Sequence, residues 1–502
     1  MPATPEQLRP LFYPRSVAVL GASSHPLKFG FQYLRALQDF GFPGRLYPVN
    51  PELNEVLGLK VYPSVAALPE PVDLATVSVP APAVPAALRE CLARGIPGAQ
   101  VLSAGFREAG PEGRRLEAEL ADLARQGIRV IGPNCFGVYS PAAGITLMPG
   151  SEFSRESGPV GFFSQSGGGS CDLAYMARGR GLRFSVLVSY GNGCDLETVD
   201  LLEYFRADPE TRVVGAYLEG VRDGRAFFAA LKRCAAEKPV VIYKGGLTET
   251  GRAGARSHTG SLAGEAPTWK AALKQAGAIA AESLPDLVEC LMACVCLGDF
   301  TGAGLGILAG GGARNVEALD AAGHTDFRVP AISSGTEAAI AAKIPPAGGR
   351  AGNPTDLANP AMAPSVIGPV MEALAGEPEV DALLLYQAVF YLHKEVRRYR
   401  AKSPAGPALK LDYHLELAEA AERIRRKTGK PLLMILPDVA SDPAHAEMEE
   451  ARRVARQHYT SRGIPCFDHA EAALSVLKRL RARNLRAGGV CDKFGGYPAT
   501  PA

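Results

Sequence analysis

The sequence lacks three features that would assign it to a class at once: an excess of charge of one sign, a long apolar run, and a CxxC pair of cysteines. Its 54 basic and 52 acidic side chains nearly cancel, so there is no electrostatic footprint for nucleic acid or an anionic membrane. No run reaches the roughly 18 apolar residues of a membrane span, and the first residues contain no apolar signal core. We therefore expect a cytoplasmic protein with no nucleic-acid or membrane partner.

The ten cysteines are spread through the chain, and only Cys290, Cys294 and Cys296 stand close together. They lie in an apolar stretch without a neighbouring histidine. This pattern favours a buried helix face over a metal site, and we expect no metal site in the chain. The remaining cysteines are expected to be reduced thiols.

Glycine and proline are abundant, with 55 and 40 residues that make up about a fifth of the chain, against about 12% on average. They are scattered, which indicates many turns rather than one disordered tail. A length of 502 residues corresponds to about three domains. Short apolar runs alternate with helix-length stretches throughout, which predicts α/β domains whose parallel strands are covered by helices on both faces.

The order of these runs predicts three domains and a tail. We place a Rossmann-like domain at residues 1–150, a second doubly wound domain at 151–300, a third at 301–490 and a loose tail at 491–502. Residues 344–360 form a long irregular connection. The charged segment from Lys394 to Glu419 is predicted to be a surface insertion.

A glycine loop follows the first predicted strand, Ser16–Leu20. Gly21 and the small residues after it permit a tight turn at a helix N-terminus, where a phosphate can approach the backbone. The second strand ends at Asn50 without the carboxylate that an NAD site requires, which argues against a plain dehydrogenase. The loop therefore indicates either a nucleotide-type ligand other than NAD or a purely structural turn.

A second loop of the same kind runs from Ser164 to Ser170, again between an apolar strand and a helix. Its helix N-terminus favours an anion, but no lysine stands where a Walker A motif requires one. Further on, His258 is flanked by glycine and small hydroxyl residues, which leave room around a nucleophilic imidazole. Glu219, at the end of another strand, is suited to orient that ring. The alternative interpretations are that His258 is an ordinary surface or hydrogen-bonded histidine and that Glu219 is a solvated side chain at a strand end.

Several motifs together resemble one family, the α-subunits of ADP-forming acyl-CoA synthetases, which are related to succinyl-CoA synthetase. The resemblance runs from about residue 10 to about residue 485. The motifs are SVAVLGAS from Ser16, PVNP at Pro48–Pro51, SAGF at Ser103–Phe106, IGPNCFG at Ile131–Gly137, FSQSGG at Phe163–Gly168, YLEG at Tyr217–Gly220, SHTGSLAG at Ser257–Gly264 and NPTDL from Asn353.

The resemblance implies a CoA-binding domain followed by two flavodoxin-like ligase domains. It also implies that acid, CoA and ATP interconvert with acyl-CoA, ADP and phosphate through an acyl phosphate and a phosphohistidine. In that scheme His258 carries the phosphoryl group and Glu219 orients it. The phosphoryl group is held at Ser166, Gly167 and Gly168. The residues implied to bind CoA are Gly21, Ser23, Lys28, Asn50, Pro80, Ser103 and Asn134.

The family also requires an ATP-grasp domain, for which 502 residues leave no room beside the three predicted domains. We therefore expect an ATP-grasp β-subunit as partner in a hetero-oligomer, with ATP or ADP and Mg²⁺ bound on that subunit. Two other functions stay open. One is a non-catalytic acyl-CoA-binding or regulatory protein of the same fold. The other, which the residue Asn50 disfavours, is an NAD-dependent oxidoreductase.

Overall fold

A computed structural model describes residues 4–148, 150, 152–251, 254, 265–391, 413–439 and 442–487. The chain divides into two compact units, Met1–Arg178 with Leu182–Leu291, and Gly179–Gly181 with Met292–Ala502. Each unit is described by itself. No helix in the described ranges is long and apolar enough to span a membrane.

The first unit begins with a five-stranded sheet in the order β2-β1-β5-β6-β7, and all its neighbouring strands are parallel. The strands are β1 (Ser16–Leu20), β2 (Arg45–Val49), β5 (Leu74–Val77), β6 (Gly98–Val101) and β7 (Arg129–Ile131). A small antiparallel pair, β3 (Glu55–Val56) and β4 (Leu59–Lys60), lies between β2 and β5 along the chain. Every residue of β1 is buried, as its unbroken apolar run predicts.

Helices alternate with these strands. They are α1 (Pro5–Phe12), α2 (Phe29–Phe40), α3 (Val84–Ala93) and α4 (Pro111–Arg125). The helix α1 begins with a capping box in which Thr4 and Gln7 satisfy each other's backbone amides. One buried core cluster continues from this sheet into the next one, and Phe12 packs edge-on against Tyr204 with ring centroids 4.6 Å apart.

The second sheet of the first unit has six strands in the order β13-β12-β11-β9-β10-β8. They are β8 (Gly137–Tyr139), β9 (Val160–Ser164), β10 (Phe184–Ser189), β11 (Val213–Leu218), β12 (Val240–Lys244) and β13 (Ile279–Ala281). Its helices are α5 (Gly167–Gly179), α6 (Thr198–Ala207), α7 (Gly224–Glu237) and α8 (Ala266–Ala276), and α9 (Leu284–Leu297) follows β13. All pairs are parallel except β8 with β10.

The second unit contains a parallel sheet in the order β15-β14-β16-β17-β18. The strands are β14 (Leu305–Ala309), β15 (Thr355–Asp356), β16 (Ala382–Tyr386), β17 (Leu432–Ile435) and β18 (Cys466–Phe467). The helices are α10 (Gly312–Gly323), α11 (Ser334–Ala341), α12 (Pro364–Gly376), α13 (Tyr413–Thr428), α14 (Ala446–Thr460) and α15 (Ala470–Arg486).

The predicted fold class is confirmed: a Rossmann-like sheet and two further doubly wound sheets follow one another along the chain. The buried-helix interpretation is confirmed for Cys290 and Cys294, which are buried in α9. The irregular connection at 344–360 contains the short strand β15. Of the charged segment Lys394–Glu419, the part from Tyr413 belongs to helix α13. The rest of that segment and the tail at 491–502 lie outside the described residues.

Candidate active site

The turn after β1 brings the backbone unusually close to helix α2. Gly21 has φ +84°, a conformation that favours glycine. A Cβ atom on Gly30 would lie 2.1 Å from the carbonyl oxygen of Gly21. The glycines at both positions therefore allow the helix N-terminus to approach the turn, as a phosphate-binding loop requires.

Four of the seven residues predicted to bind CoA lie around this turn. Asn50 follows β2, and its amide Nδ2 donates to the carbonyl of Ala22 at 2.7 Å. Ser23 Oγ accepts the backbone N–H of His25 at 3.1 Å, which orders the loop. Lys28 is exposed at the N-cap position of α2. Gly21, Ser23, Lys28 and Asn50 therefore lie at the carboxyl ends of β1 and β2.

The other three, Pro80, Ser103 and Asn134, follow β5, β6 and β7. Ser103 Oγ donates to the carbonyl of Val79, and the backbone N–H of Asn134 donates to the carbonyl of Ser103 at 2.9 Å. Because carboxyl ends of parallel strands lie at one edge of a sheet, the structure brings all seven residues to the same edge.

This edge continues toward the second sheet through Asn192, a residue that sequence reasoning missed. Asn134 Nδ2 lies 3.5 Å from Asn192 Oδ1, and Asn192 Nδ2 donates to Glu108 at 2.7 Å and to Glu117 at 2.9 Å. Burial alone would raise the pKa of Glu108, but the hydrogen bonds from Asn192 and from backbone amides outweigh it and lower that pKa. Glu108 is therefore held as a carboxylate.

The second glycine loop forms the start of helix α5. Ser166 Oγ accepts the N–H of Gly169 at 3.1 Å, as an N-cap residue does. The amides of Gly167 and Gly168 belong to the first turn, where no helical carbonyl can reach them. A Cβ on Gly168 would meet nothing within 4 Å, and Gly168 is exposed. These amides and the helix dipole suit an anion.

Glu219 lies next to this loop and is only 6% exposed, so its interpretation as a solvated side chain is wrong. Tyr217 O–H donates to its Oε1 at 3.2 Å. Gln165, the residue before Ser166, accepts the backbone N–H of Glu219 and, at 3.0 Å, that of Gly220. The side chain of Gln165 therefore joins the anion-binding loop to the strand end that carries the buried carboxylate.

His258 lies outside the described residues, and so does its predicted contact with Glu219. The described chain reaches residues 251 and 254 and continues from Glu265, which precedes helix α8. The role of His258 as carrier of the phosphoryl group and the role of Glu219 in orienting it therefore stay predictions.

Sequence reasoning also missed Gln165 and Lys244. Each carried only a weak local signal. Gln165 stands between two serines of the glycine loop, and Lys244 closes an otherwise apolar strand. Lys244 is only 4% exposed, and its ammonium group donates to the carbonyl of Glu219 at 2.8 Å.

Comparisons with known proteins identify two of the domains described above. A family model described as a CoA binding domain matches residues 15–141, and one described as a succinyl-CoA ligase like flavodoxin domain matches residues 157–294. The fold and these matches define a ligase-type protein with a CoA-binding domain.

Individual relatives extend the match over nearly the whole chain. The acetate–CoA ligase [ADP-forming] I subunit α of Pyrococcus furiosus is 34% identical over 94% of this chain and 97% of its own length. The acetate–CoA ligase [ADP-forming] I of Archaeoglobus fulgidus is 39% identical over 74% of this chain, which covers 54% of that relative. The chain belongs to the α-subunit family of ADP-forming acyl-CoA synthetases.

A solved structure shows the same relationship. It is the dinucleotide-forming acetyl-coenzyme A synthetase 1 of Ca. Korarchaeum cryptofilum in complex with phosphate and ADP. It matches with a TM-score of 0.78 and 30% identity, covering 98% of this chain and 99% of that one.

Proposed function

We propose that this chain is the CoA-binding and phosphohistidine-bearing subunit of an ADP-forming acyl-CoA synthetase. The reaction converts acid, CoA and ATP into acyl-CoA, ADP and phosphate, and it is reversible. The observation that carries the proposal is the buried Glu219 carboxylate beside the helix N-terminus at Gly167 and Gly168, on a chain of this family.

The chemistry runs in three transfers in the acyl-CoA-consuming direction. Phosphate attacks the thioester carbonyl and the C–S bond breaks. CoA departs as its thiolate, and an acyl phosphate forms. An imidazole nitrogen of His258 then attacks phosphorus, the P–O bond to the acyl group breaks, and the carboxylate leaves. The phosphoryl group finally moves from the histidine to ADP. The histidine thus divides one difficult transfer into easier ones.

The described residues support the second transfer electrostatically. The amides of Gly167 and Gly168 and the hydroxyl of Ser166 would supply fixed donors to the migrating phosphoryl group. Preformed donors of this kind commonly supply much of the rate in such transfers. Glu219 would accept the N–H of the His258 ring and so direct the other nitrogen to phosphorus.

CoA would bind along the carboxyl edge of the first sheet. The tight turn at Gly21 allows its phosphates to approach the backbone, and Lys28 is exposed at the start of α2 to meet their charge. The polar ends of the following strands, at Ser103 and Asn134, would accompany the pantetheine toward the second sheet.

The nucleotide would bind elsewhere. We propose an ATP-grasp β-subunit that holds ATP or ADP with Mg²⁺ and forms a hetero-oligomer with this chain in the cytoplasm. The acid is to be identified by a substrate panel that begins with acetate.

The test uses the chain together with the ATP-grasp subunit from the same genome. With ATP labelled in its γ-phosphate, the wild-type chain should acquire acid-labile, base-stable label, and His258→Ala should acquire none. The isolated chain with acetyl-CoA, phosphate and ADP should form no ATP. Absence of label on the wild-type chain, or ATP synthesis by the isolated chain, would contradict the proposal.

A further inference from the structure

Lys244 is a buried cation beside the strand end that carries Glu219. It closes β12, where it is the register partner of Leu218 in β11, the residue before Glu219. Its relative exposure is 4%. The side chain is therefore enclosed in the same edge of the sheet as the candidate active site.

The ammonium group of Lys244 is held by backbone carbonyls and a ring. It donates to the carbonyl of Glu219 at 2.8 Å and to that of Gly245, and it lies 5.0 Å from the centre of the Trp269 ring. Both hydrogen bonds described for this ammonium group go to backbone carbonyls. The cation is thus bound to the backbone at the end of the active-site strand.

Burying an ammonium group costs free energy unless the charge is paired and hydrogen-bonded. Burial lowers the pKa of Lys244 to about 8, and the nearby charge of Glu219 opposes that shift. A methionine would fill a similar volume without this cost. Perturbed titratable groups of this kind are concentrated at functional sites.

Lys244 and Gln165 hold the Glu219 backbone from opposite sides. Gln165 accepts its N–H, while Lys244 donates to its C=O. With both peptide groups engaged, the backbone torsions of Glu219 are restricted. The carboxylate then has little freedom beyond its side-chain rotamers, one of which Tyr217 holds at 3.2 Å.

We propose that Lys244 is a positioning residue for phosphoryl transfer, which acts by fixing the Glu219 peptide and placing a positive charge behind its carboxylate. The proposal rests on the function proposed above. It concerns Glu219, whose role is to orient the histidine, and it assigns Lys244 no contact with the substrate.

The chain offers a matched control at the other end of the same segment. Lys238 precedes β12, and its ammonium group also donates to two backbone carbonyls, those of Phe205 at 2.7 Å and Asp208 at 2.6 Å. Burial lowers its pKa as well. Lys238→Met therefore removes a half-buried lysine that donates to two backbone carbonyls, without touching Glu219.

The experiment measures phosphorylation of the chain by γ-labelled ATP in the complex with its ATP-grasp subunit. Lys244→Met should slow labelling by about 10- to 100-fold, the size of effect that misplacement of a catalytic group produces. CoA affinity should match that of Lys238→Met, which should label at the wild-type rate. Lys244→Arg, which keeps the charge and donors, should recover most of the rate.

Each outcome decides a separate question. Equal labelling rates in Lys244→Met and Lys238→Met would overturn the role of Lys244 and leave the proposed function intact. Absence of label on the wild-type chain would overturn the proposed function and this proposal with it. If Lys244→Met does not fold, Lys244→Gln replaces it with the same expectation, and a rate within twofold of the wild type would again refute the proposal.

Discussion

Each of the two units contains a strand that passes through a glycine turn into a helix. We compare the turn between β9 and α5 in the first unit, called the first turn below, with the turn between β14 and α10 in the second unit, called the second turn. The two turns are completed differently. In the first unit, the turn after β9 is capped by Ser166 Oγ, and the amides of Gly167 and Gly168 face no helical carbonyl. In the second unit, the turn after β14 is completed by a carboxylate, since Asp356 Oδ1 accepts the N–H of Gly311 at 2.9 Å.

This difference separates a turn that we propose to bind an anion from a structural turn of similar glycine-rich sequence. Asp356 also accepts the N–H of Ala358 at 2.9 Å, so it ties β15 to the start of α10. It supplies from within the chain the negative charge that a helix N-terminus favours. Among the described residues, no carboxylate accepts an amide of the first turn, whose cap is the neutral hydroxyl of Ser166. That turn can therefore take an external anion. A glycine-rich turn therefore does not by itself indicate a ligand.

The largest effect is expected when the first turn is made to resemble the second. Gly168→Asp introduces a carboxylate at an exposed position where a side chain meets nothing. We expect phosphorylation of the chain to slow by about 100-fold or more, because the carboxylate repels the phosphoryl group from its donors. Stability should hold or rise slightly, by about 0.3–1 kcal/mol.

Labelling with γ-phosphate and a thermal melt measure these two effects. Gly168→Asn is the neutral control of nearly the same shape, and it should lose much less activity. Equal losses in the two variants would assign the effect to bulk and refute the charge argument.

The second effect concerns the carboxylate of the second turn. Asp356→Ala leaves two backbone N–H groups without their acceptor, and we expect the second unit to lose about 1–3 kcal/mol of unfolding free energy. Phosphorylation at the first turn should keep its wild-type rate. Denaturant unfolding measures the first result. Asp356→Asn, which keeps an oxygen acceptor, should lose less, and a fall in phosphorylation at full stability would show that the second turn has a catalytic role.

The third effect is the loss of stability of the second unit in acid. His414 in the second unit is buried, and its Nδ1 lies 3.0 Å from Tyr459 O–H. Burial, with the neighbouring charge of His458, lowers its pKa to about 3. Below about pH 6.5 the unfolded chain takes up a proton that the folded chain does not, so stability should fall as the pH falls, by up to about 1.4 kcal/mol per pH unit.

Unfolding followed between pH 7 and pH 4.5 checks this dependence. His414→Gln keeps a hydrogen-bonding side chain but does not titrate, so its stability should fall less steeply over that range. Parallel slopes for the two proteins would show that His414 is not the group responsible.

The smallest effect concerns the hydroxyl cap of the first turn. Ser166→Ala removes the acceptor of the Gly169 N–H, and we expect the first unit to lose about 1 kcal/mol of unfolding free energy. Ser166→Thr, which keeps the hydroxyl, should lose less. A loss as large as that of Asp356→Ala would mean that the two caps contribute equally.

Much of the fold could be predicted because most strands are continuous apolar runs. The predicted bounds of β1, Ser16–Leu20, agree with the structure to the residue. The short strands β3, β4, β8, β13 and β15 were missed, since two or three residues carry too little pattern. The antiparallel pairing of β8 with β10 depends on a distant partner and leaves no local signal.

Parts of the candidate site could be predicted where a residue's own neighbours carry the signal. Gly21, the loop from Ser164 to Ser170 and Glu219 follow strands and were identified on that ground. Gln165 and Lys244 were not, because what distinguishes them is a contact with Glu219, which is 54 and 25 residues away along the chain.

By itself the sequence determined that the chain is a series of α/β domains with glycine turns at the strand ends, because apolar periodicity and glycine placement act locally. Only the tertiary structure decided which turn stays available for an anion. That choice depends on whether a carboxylate from another strand reaches the helix N-terminus, as Asp356 does in the second unit. It also depends on which buried groups hold the strand end beside the first turn, as Gln165 and Lys244 do. Such contacts join residues far apart in the chain, and only folding brings them within hydrogen-bonding distance.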